Sequence, residues 1–306
     1  MHLSPARKLI GEIRHYRKDI FLVGFKTTAG ATEDEQFEQG LHLLKTASAN
    51  LILANDLHTR TNMIVVPERS RYCVTKDRDE VLRELVDMSF LRSRLRFTRS
   101  TVLDGVPSVP WESDEVPSTL RTVVNYCISR GAYKPFLGRT EGHFAVRLSE
   151  GKFLTSIRKT DINSIRKVGM VLVEVEGEDR VIAHGHRPSV GGQSQRIVFT
   201  DHIDVDCIVH FHCPLKLGST VPIRSQREYE CGSHECGKNT SSGMSQFGNL
   251  WAVMLDKHGP NIAFSRNIDP NEVIRFIEDN FNLSGITDGS SRSFPEIGPA
   301  QAYTGP

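Results

Sequence analysis

Two apolar runs, one helix apart, constrain the amino-terminal part of this chain more than any other feature. The segments "DIFLVGFK" (19–26) and "NLILANDL" (50–57) are almost continuously apolar, the pattern of strands buried on both faces of a parallel sheet. Residues 33–48 between them read as a helix, and parallel neighbours need such a crossover. "NMIVVPE" and "SRYCVTK" follow as shorter strands with a turn between them, and "RDEVLRELVDM" as an amphipathic helix. The expected order is strand, helix, strand, strand, strand, helix, an α/β unit.

The pattern then breaks. "STVLDGVPSVPWESDEVPS" (100–118) has three prolines and little periodicity, which reads as a linker. Ser118 can cap a helix with Leu120, Val123, Val124, Cys127 and Ile128 on its apolar side and Gly131 as its stop. A strand-rich stretch leads to "DPNEVIRFIEDNF", where Asp269 is the expected N-cap, Pro270 the first residue, and Val273, Ile274, Ile277 and Phe281 the buried stripe. No internal repeat is visible. A length of 306 residues favours two domains. The expected division is 1–99, a linker at 100–117, a second domain at 118–283 and a flexible tail at 284–306.

Composition excludes several function classes. A net charge of +1 argues against a dedicated nucleic-acid binder, which carries a strong basic excess. The basic run "RSRLRFTR" (92–99) reads as a solvated helix face followed by linker. The six cysteines, Cys73, Cys127, Cys207, Cys213, Cys231 and Cys236, are too sparse for a small disulfide framework. No apolar run resembles a secretory signal or reaches membrane-spanning length. Reduced thiols in a cytoplasmic protein, with neither membrane nor nucleic acid as partner, are expected.

"VDCIVHFHCP" (205–214) places His210 and His212 one residue apart on an apolar strand. Such a pair is either two core histidines or part of a metal site, and zinc needs at least three protein ligands to be held well. Forty-six residues past His212, "LWAVMLDKHGPNIAF" ends an apolar strand on His258. Strand alternation puts His210 and His212 on one face, about 6–7 Å apart at the backbone. A third imidazole from a neighbouring strand end would close a facial triad. Three neutral ligands leave the ion doubly positive with an open position, suited to polarising a carbonyl and stabilising an enediolate.

Together, "IVHFHCP" and "AVMLDKHG" resemble the class II aldolase and adducin family over roughly residues 118–282. The resemblance implies an αβα domain, a Zn2+ or other divalent ion on His210, His212 and His258, a homo-oligomer, and a lyase acting on a small phosphorylated carbonyl substrate. "GRTEGHFAVRLSEGKFLTSIRKTDI" stands where that family has a glycine turn and a phosphate loop, which implies substrate contacts from Gly142, His143, Thr155, Ser156, Arg158 and Lys159. For Arg158 and Lys159 solvated surface is the alternative. "HGHRPSVGGQSQ" stands at the family's proline-serine loop and adds Ser189, but glycine, Gly191, replaces the family's catalytic glutamate. Substitute bases are Glu230 or Glu235 in "REYECGSHECGK", a stretch that also holds Glu228, Cys231, His234 and Cys236 and otherwise reads as a glycine-rich loop. His184 and His186 are candidates to line the site, and His202 reads as a helix-surface residue. Adducin-like members lack the metal histidines, and a non-catalytic interaction module is therefore an alternative.

In the first region "LVGFKTTAG" and "ANLILANDLHTR", with "LSPARKLIGEIR" before and "VTKDRDEVLRELV" after, resemble the carboxy-terminal half of phosphopantothenoylcysteine ligases over roughly residues 3–90. The implied fold is a truncated Rossmann-like half-domain, with Gly24, Phe25, Lys26, Asn55 and Asp56 near a nucleotide, outside the carboxyl ends of the strands. Asn55 and Asp56 are equally compatible with simply ending a strand and starting a turn. The family's glycine-rich half lies outside this sequence, and no G-x-G-x-x-G occurs in it. CTP or ATP is expected only if a separate chain supplies a nucleotide-binding half. The overall expectation is a two-domain α/β protein.

Overall fold

The computed structural model describes residues 9–287. Two compact units are present, one ending at Arg94 and one running from Leu95 to Thr287. From residue 288 on, the expected tail lies outside the described residues.

In the first unit β1 (Val23–Thr28) and β2 (Leu51–Asp56) pair in parallel through α1 (Glu33–Ala47). β3 (Asn62–Val66) and β4 (Ser70–Thr75) continue the sheet antiparallel, giving the order β1-β2-β3-β4. A capping box starts α1: the Thr32 hydroxyl accepts from the Glu35 amide and the Glu35 carboxylate accepts from the Thr32 amide. α1 packs where Gly40 approaches Val65 and Ala54. α2 (Arg78–Arg92) covers the opposite face, with Val81, Leu85 and Met88 against Leu51, Leu53, Ile64 and Val66.

Two expectations change here. The run 19–26 is not a strand buried on both faces: β1 begins only at Val23, has a neighbour on one side, and leaves Phe25 59% exposed. Arg92, read as part of a solvated face, is buried and ion-paired to Glu68 at 3.1 Å.

The second unit is a ten-stranded mixed sheet between helices. Its elements are β5 (Arg99–Leu103), α3 (Ser118–Ser129), β6 (His143–Ser149), β7 (Lys152–Ser156), β8 (Met170–Gly177), β9 (Arg180–His184), α4 (Gln193–Asp201), β10 (Cys207–His210), β11 (Ile223–Arg224), α5 (His234–Gly243), β12 (Ser245–Phe247), β13 (Leu250–Leu255), β14 (Gly259–Phe264) and α6 (Pro270–Asn280). The sheet order is β11-β13-β14-β10-β6-β7-β8-β9-β5, with β12 paired to β13. Period-two alternation divides the strand residues between two cores. Phe144, Val146, Cys207, Val209, Ile262 and Phe264 face α3 and α6. Ala145, Ile208, Val253 and Ala263 face α4 on the other side. α5 lies on that same side, where a Cβ on its Gly237 would reach Ile197 of α4. α6 starts as expected, with the Asp269 carboxylate accepting from the Asn271 amide ahead of buried Val273 and Ile277.

The linker expected at 100–117 is instead part of this unit. β5 pairs in parallel with β9, Val109 exchanges backbone hydrogen bonds with Met170, and Trp111, 1% exposed, packs edge-on to Phe144. Prolines made it look unstructured, but one sheet edge and one large apolar side chain anchor it. Ser118 is the first residue of α3 and not its cap; Pro117 precedes it and makes no side-chain capping bond. The supposed glycine-rich loop is helical from His234, because Ser233 caps α5 by accepting from the Cys236 amide. Among the described residues no helix is long and apolar enough to cross a membrane.

Candidate metal centre

β10 lies centrally between β14 and β6 and ends on His210, with His212 two residues further along. His258 comes from the turn between β13 and β14, where its amide donates to the Leu255 carbonyl at 3.0 Å. The next residue has to be glycine. At φ +151°, a Cβ on Gly259 would lie 2.1 Å from the Phe211 carbonyl oxygen, so only its absence lets the turn close over the strand carrying the other two histidines. The Thr287 hydroxyl donates to the His258 carbonyl at 2.7 Å and ties the turn from beyond α6.

This packing brings three imidazoles together. Their ligand atoms all lie within 4.8 Å of one another, and their ring centroids are 4.6 to 5.0 Å apart. All three histidines are buried. His210 Nδ1 lies 2.7 Å from the Pro260 carbonyl oxygen. A carbonyl only accepts, so Nδ1 carries the proton and Nε2 presents its lone pair, the tautomer a metal ligand needs. That Nε2 is buried with no hydrogen-bond partner. Burial pushes the His210 pKa down to about 4, against the raising effects of the Pro260 bond and Glu141, and this keeps the ring neutral at pH 7. Three imidazole donors, one of them with an orphaned lone pair, fit zinc or a similar divalent cation. Among the described residues no carboxylate joins the cluster.

A fourth imidazole adjoins the three. His143 on β6 stands directly opposite His210 in the antiparallel register, with ring centroids 4.8 Å apart. Neither of its ring nitrogens has a hydrogen-bond partner although the side chain is 3% exposed. Desolvation lowers its pKa well below the ordinary histidine value, with a smaller contribution from His210. Gly142 before it takes φ +114°, and a Cβ there would sit 2.6 Å from the His210 carbonyl oxygen.

The remaining residues singled out from the sequence are dispersed. The Thr155 hydroxyl, fully buried, donates to the Phe144 carbonyl and accepts from Gln195. Ser156 is buried with its hydroxyl unbonded. Arg158 and Lys159 are exposed in the turn after β7. A bridge between Ile157 and Pro188 brings that turn beside Ser189, which starts the 3-10 turn containing Gly191. Glu235 accepts from the Arg96 amide at 3.0 Å and from its guanidinium at 3.3 Å. The Glu230 carbonyl accepts from the Ser233 amide. His184 lies 3.5 Å from Glu174, His186 is exposed, and His202 meets the Ser241 carbonyl at 3.1 Å.

In the first unit a Cβ on Gly24 would clash with Ile52, Phe25 and Lys26 stand in the middle of β1, and the Asn55 amide oxygen accepts from Thr27. Asp56 is fully engaged within the fold. Its carboxylate accepts from the amides of Gly30, Ala31, His58 and Thr59 and from the Thr28 hydroxyl, at 2.8 to 3.0 Å. These donors, the Thr59 amide foremost, hold its pKa well below the usual carboxylate range. Asp56 therefore acts as a loop tie, the strand-ending alternative considered from the sequence.

Sequence reasoning missed the Pro260 carbonyl, the Thr287 tie and the pairing of His143 with His210. All three depend on contacts between segments distant along the chain, and only the His258-Gly259-Pro260 step hinted at one of them.

No protein-family model and no curated protein matches the chain. Solved structures do. YgbL from Escherichia coli, which carries a provisional aldolase/epimerase/decarboxylase assignment, is 17% identical with a TM-score of 0.40, over 53% of this chain and 84% of that one. The L-fuculose-1-phosphate aldolase of Thermus thermophilus is 19% identical with a TM-score of 0.38, over 53% and 85%. A DNA/pantothenate metabolism flavoprotein from Streptococcus pneumoniae is 25% identical with a TM-score of 0.25, over 29% of this chain and 41% of its own. Both families named from the sequence are thus represented among the structural neighbours.

Proposed function

We propose that the second unit is a divalent-metal-dependent enzyme that activates a phosphorylated carbonyl substrate for enolate-forming lyase chemistry. The observation that carries this reading is the buried convergence of His210, His212 and His258, with His210 locked by Pro260 in the metal-binding tautomer. A bound Zn2+ or similar ion would supply Lewis acidity toward a carbonyl oxygen. The chain's own residues divide the remaining work. Arg158 and Lys159, exposed beside the Ser189 turn, are the cations for a substrate phosphate. Glu235 is held by Arg96, and Glu230 in the same stretch is the second carboxylate to test for proton removal where Gly191 offers none.

The decisive experiment is the elemental metal content of purified protein, wild type beside His258→Ala. One divalent ion per chain, lost in the variant, supports the triad and justifies screening phosphorylated ketoses for turnover. If supplied zinc, manganese and iron all fail to bind the wild type, the lyase reading is wrong and a non-catalytic scaffold replaces it.

A further inference from the structure

We propose that helix α2 of the first unit carries a self-association surface, on which a second copy of this chain docks antiparallel with the two Val86 side chains at the two-fold axis. The occupant of the surface is another α2. The contact depends neither on the metal centre nor on any oligomer built by the second unit.

α2 has two apolar stripes where its own fold uses one. Val81, Leu85 and Met88 are buried in the core beneath the helix. Leu82, Val86 and Phe90 recur every four residues, which stacks them along an adjacent flank. Leu82 reaches the edge of that core, but Val86 is 68% exposed and Phe90 54%. With Arg83 and Asp87 they line an open groove of about 500 Å3. A helix apolar on two faces is built to be covered on both. Phe90 is also steadied before any contact forms: the Arg94 guanidinium lies 3.6 Å from the centre of its ring.

The order of residues along the flank identifies the partner as a second copy. In an isologous contact each residue meets its own symmetry mate, or a residue that meets it in return. Leu82 and Phe90 lie at equal distances on either side of Val86, so in an antiparallel pair each Leu82 faces the second copy's Phe90. Arg83 and Asp87, one turn apart, share one side of the stripe. The two-fold then sets Arg83 of each copy about 3 Å along the helix axis from Asp87 of the other. Opposite charges thus border the apolar seam, whereas a parallel pair would separate them onto opposite sides. One helix face is smaller than a standard interface, so the association is weak and reversible.

The test uses the full chain and sedimentation velocity over a concentration series. The wild type is expected to show a reversible association step that weakens more than about tenfold in Phe90→Ala, since each contact loses two phenyl rings. Arg83→Glu alone and Asp87→Arg alone oppose like charges and are each expected to weaken it about tenfold. An equimolar mixture of these two variants restores opposite charges and is expected to recover the wild-type association, which neither a folding defect nor a different partner would produce. Val86→Cys, supplied with oxidised glutathione, is expected to give a disulfide-linked dimer, and Glu80→Cys, exposed on another side of α2, is not. That readout separates this contact from any association through the second unit. The absence of an association step sensitive to Phe90 overturns the proposal and leaves the face to a different protein. No recovery in the mixture, or a Val86→Cys chain that stays uncrosslinked while the wild type associates, overturns it as well.

Discussion

Thr287 donates its hydroxyl to the carbonyl of His258 across 2.7 Å, so chain beyond the last helix holds the turn that presents this imidazole to the histidine cluster. Thr287 is 1% exposed, so the bond is shielded from bulk solvent. Thr287→Val keeps the volume but leaves a buried carbonyl one donor short. The expected loss is about 1 kcal/mol of stability. A severalfold weaker hold on zinc should accompany it. Urea denaturation and chelator competition measure the two effects separately.

Gly259→Ala should be more damaging at the same turn. The new methyl would lie 2.1 Å from the Phe211 carbonyl at a φ that side chains avoid, so the turn must shift. A stability loss of about 1–3 kcal/mol is expected. Metal content should fall below half an ion per chain even when the protein is folded, as judged by elemental analysis beside a circular dichroism spectrum.

In the first unit, Glu68 and Arg92 form an ion pair at 3.1 Å with both side chains at most 1% exposed. Removing one partner takes a charge-assisted bond away from the other buried charge. Glu68→Gln is expected to cost about 3 kcal/mol or more, whereas Glu68→Leu combined with Arg92→Met should recover much of that loss. Thermal denaturation of the single and double variants decides the matter. A double variant no better than the single one would contradict it.

Asp56 predicts an acid limb. Its folded pKa lies below its unfolded value, so its contribution to stability is complete above the ordinary carboxylate pKa of about 4 and is lost as pH falls toward the folded value. Asp56→Asn, which offers one acceptor oxygen in place of two, should lower the melting temperature at pH 7. It should also flatten the decline in stability below pH 4. Melting curves between pH 7 and pH 2 provide the comparison.

The convergence of the three histidines was legible because they sit where local pattern reports geometry: two residues apart on a strand, and at a strand end followed by glycine. Helix α6 was legible for the same reason, since Asp269, Pro270 and the stripe behind them are all local signals. What the sequence could not display was pairing at a distance. Glu235 looked available for catalysis until Arg96, 139 residues earlier, was seen to hold it. His143 looked like part of a phosphate loop until the β6–β10 register set it opposite His210. The stretch 100–117 was misread because prolines remove amide donors, and composition does not reveal that Trp111 is buried against Phe144.

The register of β14 against β10 has a kinetic consequence. A slip of one residue between these strands would move His258 out of step with His210 and His212. The three imidazoles can therefore converge only after segments more than fifty positions apart have aligned correctly, and such long-range pairings are slow to form. Capture of a coloured ion such as cobalt by refolding protein would then act as a clock. It would mark the moment at which the middle of the large sheet locks into place.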